Sequence, residues 1–236
     1  MSLEPVGEDW DRAVAIVAHP DDLEYGMASA VARWTAQGKQ VSYLLATKGE
    51  AGIDGMEPRR AAEVREAEQR ASAGIVGVHD VIFLDHPDGA VEYGLALRRD
   101  LAGAIRSLRP QVVFTMNFEL TWGESGNVNH ADHRAVGLGA LDACRDAANR
   151  WLFGELGEPW SGITNAYVAA SSHPTHFVDV SRTIDKGIES LRAHSAYIEG
   201  LGTGFDPDEF LRNMGGYGGM AAGCEYAVLC QAFNAV

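Results

Sequence analysis

Cysteine is scarce in this chain. Cys144, Cys224 and Cys230 form neither an even framework nor a CxxC pair, which excludes a disulfide scaffold and points to a reducing compartment, the cytoplasm. Long apolar runs are missing as well. No window approaches the roughly 18 consecutive apolar residues of a membrane span, and residues 1–10 are acidic, without the basic start and apolar centre of a signal peptide. Positive charge is in short supply, with 19 Lys plus Arg against 33 Asp plus Glu and a net charge of −14. A chain this acidic repels phosphate backbones and anionic lipid heads, so neither nucleic acid nor a membrane is an expected partner. A small molecule, neutral or cationic near its reacting end, suits it better. Internal repeats are absent, and no composition shift marks a boundary. With 46% hydrophobic and 22% charged residues over 236 positions, one domain with a substantial core is expected over residues 1–236, with an N-terminal extension at 1–12.

Against these absences stands one dense stretch. Residues 13–18 form a short apolar run, Ala-Val-Ala-Ile-Val-Ala, that ends in His19-Pro20-Asp21-Asp22. Such a run predicts a strand buried on both faces of a parallel sheet. Pro20 stops the ladder, and the carboxyl end of such a strand is where open α/β sheets bind ligands. An imidazole with two carboxylates there suits a metal ion with a base beside it. A phosphate-binding loop is excluded at this turn, because HPDD replaces GxGxxG and acids repel a pyrophosphate.

Strand and helix signals then alternate. A helix is expected over 23–37, a strand over 41–46, and a glycine-rich polar loop over 47–55 that lacks the GxxxxGK[ST] pattern. Pro58 opens a charged helix to about residue 75, whose arginines read individually as solvated partners of nearby acids. A strand over 78–84 leads to His86-Pro87-Asp88-Gly89, read as a turn at the rim of the site. A helix over 93–108 and a strand over 112–116 precede a polar loop, 117–129. His130-Ala131-Asp132-His133 follows at the start of another helix, where His130 and His133 share a face or, on the plainer reading, serve as capping or surface histidines. Later come a strand over 175–180, a helix over 184–197, a glycine-dense loop over 200–223 and a strand over 225–233. His173 and His176 flank Pro174 and read as structural or exposed.

Ala18-His19-Pro20-Asp21-Asp22 and Asn129-His130-Ala131-Asp132-His133-Arg134 together resemble the LmbE-like, or PIG-L, family of zinc-dependent de-N-acetylases. Gly49-Glu50-Ala51-Gly52, Arg65-Glu66-Ala67-Glu68 and Leu84-Asp85-His86-Pro87-Asp88-Gly89 support the match, in the family's order, over about residues 13–145. One departure is Leu23, which separates Asp22 from Glu24. The resemblance implies a single-domain Rossmann-like α/β fold, a mostly parallel sheet flanked by helices, with the metal site at the carboxyl ends of the strands. It also implies His19, Asp22 and His133 as metal ligands, leaving one coordination position open. Asp21 would be the general base, His130 the electrophilic or acid partner, and Asp132 the group that pairs with an imidazole and orients it. Arg65 would contact substrate or the catalytic acid, and Glu50 would contact substrate. The implied reaction removes an acetyl group from an N-acetylglucosamine-type compound, with zinc as cofactor, although Fe²⁺ and Co²⁺ also accept a His₂Asp set. An amidase cleaving a larger acyl or thiol-conjugate amide, and a non-catalytic α/β binding protein that keeps the metal for stability, are the competing readings. A homo-oligomer is compatible with the resemblance.

Overall fold

The computed structural model describes residues 2–123, 126–202 and 204–234. Its centre is the predicted strand β2 (Arg12–Val17), which follows a two-residue strand β1 (Glu4–Pro5). Ala13, Ala15 and Val17 point into one apolar cluster, whereas Val14, Ile16 and Ala18 point into another on the opposite face. The uninterrupted apolar run therefore has a direct cause: neither face of β2 meets water.

The chain continues through α1 (Asp22–Gly26), α2 (Ala28–Ala36), β3 (Gln40–Leu45), α3 (Pro58–Ile75), β4 (Asp80–Phe83), α4 (Leu95–Leu108), β5 (Val112–Met116) and α5 (Ala131–Ala148). Then follow β6 (Asn165–Ala169), β7 (His176–Asp179), α6 (Ile184–Arg192), α7 (Ser195–Gly200), α8 (Pro207–Ala222) and β8 (Ala227–Asn234). The sheet order is β1-β7-β8-β6-β5-β2-β3-β4. All neighbouring strands are parallel except β8, which runs antiparallel to both β6 and β7. From β2 the chain first builds outward through β3 and β4, then returns to place β5 on the other side of β2. The crevice beyond the carboxyl ends of β2 and β5 is therefore a topological switch point, where ligands bind in such sheets. Helices α4 and α5 cover one face through Leu97, Leu101, Ile105, Ala140 and Ala143. The other face is filled by a stack in which Trp34 and Phe114 lie 4.5 Å apart and Phe114 and Tyr167 5.6 Å apart.

Five expectations change, and one is that the helix expected over 184–197 is two helices, α6 and α7, separated at Ala193 and His194. The helix expected over 23–37 is two helices, broken at Met27 with φ −138°; at the break, a Cβ on Gly26 would sit 2.7 Å from Met116 Sδ. The expected extension at 1–12 belongs to the fold, since β1 pairs with β7 and Trp10 is buried against Trp34. Strand β6 carried too little signal to be expected. The glycine-dense segment 200–223 is mostly the helix α8, capped by Asp206, whose side chain accepts from the Asp208 N–H, and opened by Pro207. Its glycines serve contact: a Cβ on Gly218 would lie 2.2 Å from the Ala227 carbonyl oxygen, and one on Gly219 2.4 Å from that of Glu225. No helix among the described residues is long and apolar enough to cross a membrane.

Gly218→Ala tests this packing. In a loop or an open helix, alanine would be neutral or stabilising by up to ~1 kcal/mol. Against the backbone of β8 it should instead cost about 1–3 kcal/mol, read as a lower urea midpoint.

Candidate active site

The end of β2 sets the geometry. Asp22 Oδ2 accepts hydrogen bonds from the amides of Ala18 (3.0 Å) and His19 (2.9 Å), so its carboxylate folds back over the strand terminus. Asp21 adopts φ 85°, an uncommon conformation for a residue with a side chain. That turn directs the two consecutive acids differently. The Asp21 amide donates to Gln69 Oε1 (2.9 Å), and Asp21 Oδ2 accepts from Arg65 Nη2 (2.9 Å).

Helix α5 brings the second half. His130 is its N-cap, with Nδ1 accepting from the Asp132 amide at 3.2 Å. The capping residue also lines the cavity, and the cap assigns the neutral ring's proton to Nε2. Asp132 is fully buried and accepts from the amides of Gly89 (2.7 Å) and Val91 (3.1 Å). Its Oδ2 also lies 3.1 Å from His19 Nε2. Burial alone would raise the Asp132 pKa, yet the His19 imidazole and these amides hold it below the usual carboxylate range.

His19 Nε2 therefore has two carboxylate partners, Asp132 and Asp88, the latter at 3.0 Å. His133 Nδ1 lies 2.9 Å from Asn129 Oδ1, and the Asn129 amide nitrogen donates to the Asn117 carbonyl, which fixes that oxygen as the acceptor. With Nε2 of His19 and Nδ1 of His133 serving as donors, the remaining nitrogens carry lone pairs. These two atoms, His19 Nδ1 and His133 Nε2, face each other at 3.2 Å. Asp22 Oδ1 lies 3.0 Å from the His133 atom, and Asp22 Oδ2 3.7 Å from the His19 atom. When both rings are neutral, three acceptors converge there and fit a cation, which would take the place of the proton that the acids otherwise draw to His19: donors about 2.0–2.2 Å from a tetrahedral ion lie about 3.4 Å apart. His19, His130 and Asp132 also lie close enough together to be considered a metal group, but His19 Nε2 and Asp132 are already engaged with each other. His19, Asp22 and His133 are the set that fits.

Charge makes the same demand. Asp21, Asp22, Asp88 and Asp132 crowd His19 and His133, and Arg65 is the guanidinium among them. Burial lowers the His19 pKa, but Asp132, Asp22 and Asp88 overcome it and raise the ring well above its ordinary value. Asp22 is shifted the other way: burial is outweighed by His133 and His19, which hold it well below the usual range. Asp21 is pushed up to about 7, first by burial and then by Asp22, with Arg65 opposing. Burial and the charge of His19 lower the His130 pKa, which favours its neutral form.

Arg65, expected from its helix to be solvated unless the resemblance held, is 3% exposed. Besides Asp21 it donates to the carbonyls of Pro20 (2.6 Å) and Gly49 (3.1 Å), and it stacks 4.4 Å from the Tyr197 ring centre. The loop after β3 makes room for it. A Cβ on Gly49 would lie 2.4 Å, and one on Gly52 2.1 Å, from Arg65 Nη1. Glu50 corrects an expectation. It does not line the main cavity; its Oε1 accepts the Asp88 amide at 2.9 Å and so holds the His86–Gly89 turn. Asp88, read as a rim turn, enters the site itself, and the repeated His-Pro-Asp pattern was the signal for it. His173 and His176 lie outside the cavity.

The cavity has a volume of about 500 Å³. His19, Asp21, Asp22, His130 and His133 form its base, and Tyr25, Met116, Trp122, Ala170, Phe210 and Met214 its apolar walls.

Comparison with known proteins gives the chain its relatives. The family model for PIG-L, GlcNAc-PI de-N-acetylase, matches residues 14–144. A diacetylchitobiose deacetylase of Thermococcus kodakarensis is 30% identical over 227 residues, covering 93% of this chain and 82% of its own. A 1D-myo-inositol 2-acetamido-2-deoxy-alpha-D-glucopyranoside deacetylase of Kineococcus radiotolerans is 30% identical, covering 79% and 69%. Among solved structures, the N,N'-diacetylchitobiose deacetylase from Pyrococcus horikoshii, complexed with its inhibitor MPG, superposes with a TM-score of 0.86. It is 22% identical and covers 97% of this chain and 85% of its own, a likeness of fold.

Two substitutions check the ligand set. His133→Ala should abolish stoichiometric metal binding, read by elemental analysis after dialysis. Asn129→Ala, which only frees the far side of that ring, should weaken metal affinity about 10–100-fold in a chelator competition.

Proposed function

We propose that this chain, which belongs to the PIG-L (GlcNAc-PI de-N-acetylase) family, is a zinc-dependent hydrolase that removes the acetyl group from an N-acetylglucosamine-type substrate. One observation carries the reading: two imidazole lone pairs and a carboxylate converge beside a second buried carboxylate, Asp21, held by Arg65 and outside the ligand set. A site kept only for stability has no use for Asp21, and structural zinc is usually closed by four protein ligands. His19, Asp22 and His133 would hold a divalent ion, which would supply Lewis acidity to the amide carbonyl and to the attacking water.

The chain's own residues perform the proton work. Asp21 accepts the proton of the attacking water as the oxygen bonds to the carbonyl carbon, and its raised pKa suits an acceptor that must later release that proton. The Nε2–H of His130 donates to the carbonyl oxygen as negative charge grows there. When the C–N bond breaks, the amine leaves with the proton Asp21 took up, and the acyl group departs as a carboxylate as its remaining hydroxyl proton passes to the amine, which becomes an ammonium. Arg65 aims Asp21, Asp132 and Asp88 fix His19, and Asn129 fixes His133. Fe²⁺ and Co²⁺ would satisfy the same donors. The free thiols of Cys144, Cys224 and Cys230 favour the cytoplasm as the compartment.

The test is release of acetate and free amine from the methyl glycoside of N-acetylglucosamine, before and after chelation and on restoring zinc, iron or cobalt. Chelator-sensitive, metal-restored release is expected. Asp21→Asn should retain metal and lose about 10²–10⁴-fold in kcat; a near-wild-type rate would remove Asp21 from the mechanism.

A further inference from the structure

Helix α3 turns a polar row toward the core. An amphipathic helix ordinarily buries apolar side chains along one stripe, and Ala61 and Ala73 conform. Between them the buried positions are Arg65, Gln69 and Ser72, which share one face of the helix. Burying polar groups is costly unless they find partners, and all three find them in the short segment after β2. Arg65 Nη2 donates to Asp21 Oδ2 at 2.9 Å, Gln69 Oε1 accepts the Asp21 amide at 2.9 Å, and Ser72 Oγ donates to Glu24 Oε1 at 2.7 Å.

Two of these residues grip a single peptide unit. Arg65 Nη2 also donates to the Pro20 carbonyl at 2.6 Å, while Gln69 holds the Asp21 N–H. The carbonyl and the N–H of one peptide lie in one rigid plane and point opposite ways, so the Pro20–Asp21 unit is fixed from both edges. The next peptide is fixed too, because the Asp21 carbonyl accepts from the amides of Glu24 (2.9 Å) and Tyr25 (3.1 Å). Asp21 needs this restraint. Its φ of 85° is a conformation that persists only where the surroundings impose it, and rotating the first peptide would swing its carboxylate away from Arg65.

Glu24 explains why Gln69 presents oxygen and not nitrogen to that amide. Gln69 Nε2 donates to Glu24 Oε1 at 2.9 Å, and a carboxylate accepts from the nitrogen end of a side-chain amide. Neither Gln69 nor Glu24 lines the catalytic cavity, and each is 1% exposed. The carboxylate is enclosed by further polar groups. Ser72 Oγ lies 2.7 Å from Ser190 Oγ, and Glu24 Oε2 lies 3.6 Å from Nε2 of the buried His194.

We propose that Gln69 is a positioning residue for the reaction: it holds the Pro20–Asp21 peptide against Arg65, keeps the Asp21 carboxylate beside the ligand set, and is itself oriented by Glu24. The inference rests on the reading of Asp21 as general base for its catalytic readout.

Gln69→Met keeps the side chain's length and removes both hydrogen bonds. On the methyl glycoside of N-acetylglucosamine, the metal-loaded variant is expected to lose about tenfold or more in kcat, with KM and metal stoichiometry unchanged. In the Asp21→Asn background the same substitution should cost less than about twofold, because Gln69 acts only through Asp21. Ser190→Ala removes a buried hydroxyl of the same cluster without touching the peptide and should leave kcat unchanged. A smaller loss in Gln69→Met, a loss confined to KM, an equal loss in the Asp21→Asn background or a matching loss in Ser190→Ala overturns the proposal. Gln69→Asn, which stays polar but withdraws its oxygen from the Asp21 amide, is read in the same way if the methionine variant does not fold. If the wild type cleaves no amide, or Asp21→Asn keeps its rate, the reading of Asp21 as base fails and a crystal structure of the Gln69 variant decides. Loss of the left-handed φ at Asp21 together with its Arg65 contact supports the positioning role; retention of either overturns it.

Discussion

His19 Nε2 is held by Asp132 at 3.1 Å and Asp88 at 3.0 Å, so the other ring nitrogen must face Asp22 and His133. The rest of the site is built on that orientation. Asp132 opens α5 and also holds the amides of Gly89 and Val91, so one carboxylate ties the end of β2, the turn after β4 and the start of α5 together. Glu50 secures the same turn from the loop after β3. The orientation of the proposed donors is thereby set by groups outside their set, a common division of labour in metal sites.

The second constraint is the buried pair of Arg65 and Asp21. Burying both charges is costly, and removing either partner would leave the other bare, at about 3–5 kcal/mol. The chain accepts that cost and surrounds the guanidinium with two backbone carbonyls and the Tyr197 ring. Asp21 is thus kept beside the proposed ligands without joining them. A carboxylate free to move would be drawn into the ligand set, where it could no longer take a proton.

What the sequence reveals follows from how local each feature is. His19, Asp22, His130 and His133 were legible because a proline-terminated apolar run and a helix start each place their residues within a few positions. The switch-point location followed from strand–helix alternation. Arg65 was not legible from its own helix, because its neighbours Arg59, Arg60 and Arg70 are solvated or half-solvated and the pattern does not say which arginine turns inward. Nor was α8, since Gly215 to Gly219 suggest a loop until the backbone of β8 is known to lie against Gly218. Asp88 was seen in a repeated motif, but its partner is sixty-nine positions earlier. Long-range contacts of this kind underlie the burial of Arg65, the packing of α8 and the place of Asp88.

The chemistry and one part of the cavity's wall come from different parts of the chain. Every group proposed to hold metal or move a proton lies between His19 and His133, within the segment matched by the family model, whereas Phe210 and Met214 lie on α8, well beyond it. Substitutions on the outward face of that helix can reshape what the protein accepts without disturbing how it cleaves. Selection can therefore act on diet and on reactivity as nearly separate traits, and descendants of one catalytic ancestor can diverge in substrate by drift along a single helix.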